Sequence, residues 1–181
     1  MNVRAATLPG VLVIERRVFE DPRGIFAEEW RADAYRAAGL PEFVQDNVAL
    51  SRRGVLRGLH YQHPRGQGKL VSVAAGAVFD VVVDIRRSSP TFGRWESFDL
   101  DASSGRQLWI PPGFAHGYLT LSEQAVFTYK CTEYYDPSVE GVVRWDDPAI
   151  GIRWPVHAPQ VSAKDASAPA LSDVARERLP E

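Results

Sequence analysis

The pattern that most restricts the fold is the recurrence of short runs rich in Val, Ile, Phe, Trp and Tyr, broken again and again by Gly, Pro, Asp or Ser. Such runs are strand-length, and too short for helices with a buried stripe. They fall at Val11–Val18, Ile25–Trp30, Phe43–Leu50, Val55–Tyr61, Leu70–Ala74, Val78–Ile85, Trp95–Leu100, Gln107–Ile110, Tyr118–Leu121, Ala125–Cys131 and Val142–Trp145. Many short strands with little helix between them describe an all-β sandwich or barrel. Only Ala32–Ala38, stopping at Gly39, and Ser172–Leu179, with Ser172 as cap, read as helical, and both lie at the periphery. Ala75-Gly76 between two runs reads as a hairpin turn, and the small residues of Ala163–Pro169 read as an irregular surface segment. A chain of 181 residues, 45% of them hydrophobic, can bury one sizeable core. No internal repeat or low-complexity linker divides it, so residues 1–181 are expected to form a single domain.

Two stretches narrow the architecture further. Gly54 is followed after five residues by His60, and Gly105 after five residues by Pro111, then Gly113 and His116 in GRQLWIPPGFAH. This spacing resembles the paired motifs of the cupin superfamily, and a cupin-type jelly roll, the double-stranded β-helix, is the expected fold. Metal-binding cupins carry a second His two positions after the first and then a Glu. Here Gln62 stands in the His position, and no Asp or Glu occurs from Tyr61 to Phe79. His63 lies an odd number of residues from His60, so on a strand it faces the other side. His60 and His116 alone fall short of the three protein ligands a catalytic zinc or iron site uses, so neither a metal nor another cofactor is expected.

Charge and composition remove other classes. A formal net charge of −2 offers no positive field to a nucleic acid, although a few local arginines can still hold a small anion. No apolar run is long enough to cross a bilayer and the N-terminus lacks a signal-peptide pattern, so no membrane association and a cytoplasmic location are expected. The single Cys131 lies in an apolar, aromatic stretch and reads as a small buried hydrophobe. Ser51, Ser72 and Ser122 lack the G-x-S-x-G setting of a nucleophilic serine.

An unmetallated imidazole in a barrel mouth suits proton transfer near neutral pH, although residue type alone favours a core or surface histidine satisfied by a backbone carbonyl. What separates the two is the surrounding set of blocks: DPRGIFAEEW (21–30), FVQDN (43–47), VLRGLHYQ (55–62), QGKLV (67–71), VFDVVVDIRRSSPTFGRW (78–95), RQLWIPPGFAHGY (106–118), YKCTEYYDPSVEG (129–141) and SAKDASAP (162–169). In this order, over the stretch from near Val11 to about Pro169, they resemble the dTDP-4-dehydrorhamnose 3,5-epimerase family. The resemblance implies His60 as general base, Asp165 as the carboxylate that orients it, Tyr129 as the acid on the opposite face, and Lys69 beside the enolate oxygen. Each type suits its role. A proton next to a ketone is weakly acidic, so the site must both accept it and stabilise the oxyanion. Inversion of a carbon needs removal on one face and return on the other, and a phenol of ordinary pKa near ~10 is protonated at neutral pH.

The same resemblance implies that Arg23, Glu28, Gln45, Asp46, Asn47, Arg57, Lys69, His116, Glu140 and Lys164 contact a dTDP-sugar, with Arg23 and Lys164 on the diphosphate and Tyr135 stacked on thymine. Plainer roles remain open: Arg23 closing a turn, Glu28 and Lys164 as solvated surface charges, Tyr135 packing on a strand. It also implies a homodimer in which exchanged N-terminal strands bring Arg23 and Glu28 to the neighbour's site. Asp80 and Asp84 share one face of a buried strand and read as acids bonded to backbone or arginine. The activity implied is inversion at C3 and C5 of dTDP-4-dehydro-6-deoxy-D-glucose, giving dTDP-4-dehydro-L-rhamnose. Rivals are a single-site epimerase of secondary-metabolite deoxysugars, a 3,4-ketoisomerase, a sugar-binding jelly roll without catalysis, and a metal-dependent oxygenase. Retention of Lys69, His116 and Glu140 favours the double activity.

Overall fold

A computed structural model describes residues 1–181. Chain order gives β1 (Asn2–Ala5), β2 (Leu12–Glu15), β3 (Val18–Asp21), β4 (Gly24–Ala27), α1 (Ala32–Ala37), β5 (Gln45–Arg52), β6 (Leu56–Gln62), β7 (Lys69–Ala75), β8 (Ala77–Asp84), β9 (Trp95–Asp101), β10 (Arg106–Ile110), β11 (Phe114–Thr120), β12 (Gln124–Cys131), β13 (Glu140–Val142) and α2 (Ala163–Ala166). A six-stranded sheet in the order β1-β2-β10-β7-β12-β5 and a five-stranded sheet in the order β13-β6-β11-β8-β9 are antiparallel throughout, and β3-β4 forms a separate hairpin. This is the expected all-β jelly roll.

Period-2 alternation sends Val71, Val73, Val78, Val82, Leu108 and Phe127 into one core cluster drawn from both sheets. Two smaller clusters cover outer faces. Leu59, Tyr61, Val81 and Val83 meet Ile150, Leu171 and Leu179 of the C-terminal segment, and Ile14, Leu70 and Trp109 meet Tyr35 and Leu40 around α1. Strand β8 is therefore buried on both faces, with Val78, Val81, Val82 and Val83 fully excluded from solvent. Its uninterrupted valines reflect that burial. No helix is long and apolar enough to cross a membrane.

Several boundaries differ from the sequence reading for local reasons. The run Val11–Val18 splits at Arg16-Arg17 into β2 and β3, and of Ile25–Trp30 only the first three residues are strand, in β4. Strand β11 begins at Phe114, four residues before Tyr118, because its GFAH segment continues directly into the sheet. Ala75-Gly76 is not a hairpin turn. β7 pairs with β10 and β12, whereas β8 pairs with β11 and β9, so the turn passes the chain from one sheet to the other. Gly76 has φ +79°, and a Cβ there would sit 2.1 Å from the Gln124 carbonyl oxygen, so the crossing leaves no room for a side chain. The expected helix Ser172–Leu179 is two 3₁₀ turns, Leu171–Asp173 and Arg176–Arg178, and Ser172 caps neither. Val174 and Ala175 between the two turns are extended, with ψ 126° and 136°, and this breaks the helical path while Leu171 and Leu179 both enter one cluster. Conversely, Ala163–Pro169 contains α2, whose N-terminus is capped by Ser162 accepting from Asp165 N at 3.1 Å.

Asp84 closes β8 as an arginine-bonded acid. It accepts from Arg86 Nε at 2.9 Å and Nη2 at 2.7 Å, and from the hydroxyls of Ser89 and Thr91 at 2.6 Å each. Burial pushes its carboxyl up, but these bonds outweigh it and bring the pKa down to about 2. A lowered carboxyl pKa contributes stability above the unfolded value and loses it as pH falls toward the folded one. Asp84→Asn is expected to cost about 2 kcal/mol at neutral pH, and the gap between variant and wild type in urea unfolding should close on acidification.

Candidate active site

Strand alternation turns His60 inward from β6 while its neighbours Leu59 and Tyr61 enter the outer cluster. The chain after β13 returns past the start of β6, where Gln160 N donates to Gly54 O at 2.8 Å and Leu56 N to Gln160 O at 2.9 Å. This return delivers α2, and Asp165 Oδ1 accepts from His60 Nε2 at 2.7 Å. Asp165 is 2% exposed. Burial raises its pKa, but the His60 bond, the imidazole's charge, Gly58 N and the Ser162 hydroxyl outweigh that and leave it below the ordinary carboxylate range. A carboxylate has no proton to give, so Nε2 is the donor and Nδ1 of the same ring carries the free lone pair.

The opposite wall comes from the six-stranded sheet. Tyr129 on β12 and Lys69 on β7 face inward, the ammonium 6.0 Å from the phenol ring centroid. Burial is the main cause of both shifts: it pushes Tyr129 up to about 12 and lowers Lys69 from its ordinary value, against the opposing charges of Cys131, Glu140 and Asp80. His60, Tyr129, Lys69, Asn47, Arg57 and His116 line one cavity of about 300 Å³. A second group lies at its rim. Glu140 accepts from Lys164 Nζ at 2.8 Å and from Tyr135 OH at 3.0 Å, and Gln45 accepts from Tyr135 N at 2.9 Å while donating to Asn47 at 3.2 Å.

Three of the expected residues are not brought to this cavity by the single chain. Arg23 lies at the exposed β3-β4 turn, donating to Asp21 from its main chain and its guanidinium, which is the turn-closing arrangement. Glu28 faces Arg31 at 3.7 Å, with both side chains exposed. Asp46 alternates with Gln45 and Asn47 and points to the sheet's other face, where Lys130 Nζ meets it at 2.8 Å. Asp80 also departs from expectation: its partner is neither backbone nor arginine but His116, whose Nε2 lies 2.8 Å from Oδ2.

Residues the sequence reading passed over complete the walls. Arg57 Nε donates to Ser51 Oγ at 3.1 Å, Ser51 lies 3.3 Å from Tyr118 OH, and the Tyr118 ring stacks on Phe127 with centroids 4.0 Å apart. Tyr118, two residues beyond His116 on the same strand, was recoverable from period-2 spacing. Gly58 lets β6 approach β11 where a Cβ would meet Gly117 Cα at 2.5 Å, and the register shifts there so that His60 and His116 lie across from each other. Gln62, standing where a metal-binding cupin has its second His, anchors the loop that carries Tyr135: it donates to Arg65 O at 2.7 Å and Tyr134 O at 3.2 Å and accepts from Asp136 N at 3.0 Å. No three His, Cys, Asp or Glu side chains converge as metal ligands would. Cys131 is a buried free thiol.

A jelly roll whose mouth sets an imidazole-carboxylate pair on one sheet against a phenol and a buried ammonium on the other is a cupin-type fold fitted for acid-base chemistry. Residues 5–173 match the family dTDP-4-dehydrorhamnose 3,5-epimerase, and the chain belongs to that family. The enzyme of that name from Salmonella typhimurium is 53% identical over 175 residues, covering 94% of this chain and 96% of its own length. A crystal structure of dTDP-6-deoxy-D-glucose-3,5-epimerase from Legionella pneumophila in complex with dTDP-4-keto-L-rhamnose superposes with a TM-score of 0.95 at 48% identity, covering 99% of this chain and 97% of that one. A 4-keto-6-deoxy sugar epimerase from the novobiocin biosynthetic gene cluster of Streptomyces spheroides gives a TM-score of 0.93 at 39% identity, covering 99% and 92%.

Proposed function

We propose that this chain is a dTDP-4-dehydrorhamnose 3,5-epimerase, inverting C3 and C5 of dTDP-4-dehydro-6-deoxy-D-glucose to give dTDP-4-dehydro-L-rhamnose. The observation that carries it is the placing of His60 and Tyr129 on facing sheets of one cavity. His60 Nδ1 takes the proton from the carbon beside the C4 ketone, and the C–H electron pair moves into the carbonyl as an enolate. The resulting imidazolium is stabilised by Asp165 at 2.7 Å. Lys69 holds the charge developing on the C4 oxygen. As the enolate collapses, Tyr129 returns a proton to the opposite face, and both groups exchange with solvent before the second carbon reacts. All these groups belong to the chain.

Identification of the product by NMR after incubation with the 4-keto sugar and a chelator tests this reading. Inversion at both carbons supports it, and inversion at one assigns the chain to the single-site epimerases. Retention of Lys69, His116 and Glu140 favours the double activity.

Lys69 gives the reaction a pH signature. The ammonium is the working form, so activity is present below its pKa and lost as pH rises through it. Because that pKa is lowered while Tyr129 lies at about 12, the alkaline limb of kcat/KM is expected below the ordinary 10.5 of a lysine. A guanidinium stays charged to about pH 12.5 or above, so in Lys69→Arg the residual activity should lose that limb.

The working form we propose is a homodimer in the cytoplasm, with residues 1–181 as one catalytic domain. Hairpin β3-β4 pairs with no other strand and exposes Phe19, Ile25 and Phe26, the last at 70%. An isolated two-stranded hairpin with apolar side chains in water is marginal on its own. A partner molecule would cover it and bring Arg23 and Glu28 to the neighbour's cavity. Phe26→Asp is expected to shift the protein to monomer in analytical ultracentrifugation and raise KM about tenfold or more.

A further inference from the structure

The five-stranded sheet ends at β13, a strand of only three residues, and this short strand carries Glu140 to the rim of the cavity. On one side it pairs with β6 in the register Glu140↔Gln62, Gly141↔Tyr61 and Val142↔His60. Its other side meets no strand. There the main-chain carbonyl of Glu140 accepts a 2.7 Å hydrogen bond from Arg178 Nη2, and this guanidinium comes from the last turn of the C-terminal segment. The segment is tied down just beyond it. Leu179, 5% exposed, packs in the cluster with Leu59, Tyr61 and Val143, Arg87 N donates to Pro180 O at 2.9 Å, and Arg87 pairs with the Glu181 carboxylate. A cavity of about 360 Å³ is lined by Gly141 and Val142 together with Val174, Ala175 and Arg178, so the guanidinium bridges a gap that side-chain packing leaves open. The Glu140 carboxylate receives Lys164 and Tyr135, and Glu140 and Lys164 border the same cavity as Arg178.

We propose that Arg178 is a positioning residue for nucleotide-sugar binding: it fixes the main chain of Glu140 from outside the sheet and so sets the carboxylate that holds Lys164 and Tyr135. The inference rests on the reading of Glu140, Lys164 and Tyr135 as the nucleotide-diphosphate side of the site. The β6 ladder holds one edge of this strand, with His63 N donating to Val139 O at 3.1 Å and Val143 N to Leu59 O at 2.9 Å, and on the open edge the charged Arg178 donor sets the Glu140 carbonyl. Arg178 makes no hydrogen bond to His60 or Tyr129, so its effect is expected in binding rather than in the proton-transfer step.

The test uses the full chain, with dTDP as calorimetric probe and the 4-keto sugar as substrate. Arg178→Ala is expected to raise the dTDP Kd and the KM about tenfold, the loss of one charge-assisted hydrogen bond, with kcat at saturation within about twofold. Arg178→Lys keeps a donor and should restore most of the affinity. In a Glu140→Gln background the relay is already weakened, so Arg178→Ala should add less than about twofold, the sign of coupled residues. Should Arg178→Ala fail to fold, Arg178→Gln carries the same comparison. Unchanged affinity in a wild type that binds dTDP, a fall in kcat at unchanged KM, or the same factor in both backgrounds overturns the inference alone. A wild type that binds no dTDP overturns the reading of the site as well.

Discussion

Replacement of His60 by asparagine is expected to lower epimerisation about 10²- to 10⁴-fold, the range a positioned general base supplies. The amide keeps a donor for the Asp165 carboxylate, which is 2% exposed and which alanine would leave buried without its 2.7 Å partner. A folded, dTDP-binding, inactive His60→Asn protein therefore separates loss of the base from loss of the site. Its binding should stay within about threefold of wild type, because the contribution of a base appears in the transition state rather than the ground state. Residual turnover above about a tenth of wild type would place the proton acceptor elsewhere in the cavity.

Tyr129→Phe should produce a different failure. The ring remains, with its centroid 6.1 Å from that of Phe127, and only the hydroxyl is lost. Inversion is expected to fall about 100-fold or more, whereas exchange of the abstracted proton with solvent continues, because His60 can still take the proton and return it on the same face. Deuterium would then enter the substrate without change of configuration. Inversion at an undiminished rate would show that the second proton comes from another donor, with Lys69 next in line by position.

These contrasting outcomes arise from a site drawn from distant parts of the chain, which explains what was legible in the sequence. The strands that build the two facing sheets bury one or both faces, so their apolar residues are dense and β5 to β12 stand out. β1 does not, because Asn2–Ala5 is largely exposed, and β13 was met only at Val142, the expected run Val142–Trp145 lying too late, because three residues show no period. Which sheet a strand joins was not legible either: Ala75-Gly76 has the composition of a hairpin turn, and only the pairing partners of β7 and β8 show that the chain changes sheets there. The double-motif spacing singled out His60 and His116, which the fold sets on neighbouring strands, whereas Tyr118, recoverable by parity from His116, was passed over.

The partners of those histidines are a different matter. Asp165 lies 105 residues from His60, and Asp80 lies 36 from His116. No local period links either pair; the first came from family resemblance and the second from neither source. Gln62 had a sequence signal, as the residue that breaks a metal-binding pattern, but its task of holding the Tyr134–Asp136 loop depends on three main-chain contacts that only the fold supplies. Arg23 and Glu28 show the opposite limit. The single chain leaves them at an exposed hairpin and its flank, and their expected role requires a second molecule.

The most direct measurement of the central claim is the deuterium content of product formed in deuterated water, read at C3 and C5 by NMR and mass spectrometry. Proton removal by His60 with return from Tyr129 predicts one solvent deuterium at each carbon, both inverted, and none in the presence of the His60→Asn protein. Product carrying no deuterium at either carbon would mean that no C–H bond beside the ketone was broken by exchange with solvent, and would contradict the account.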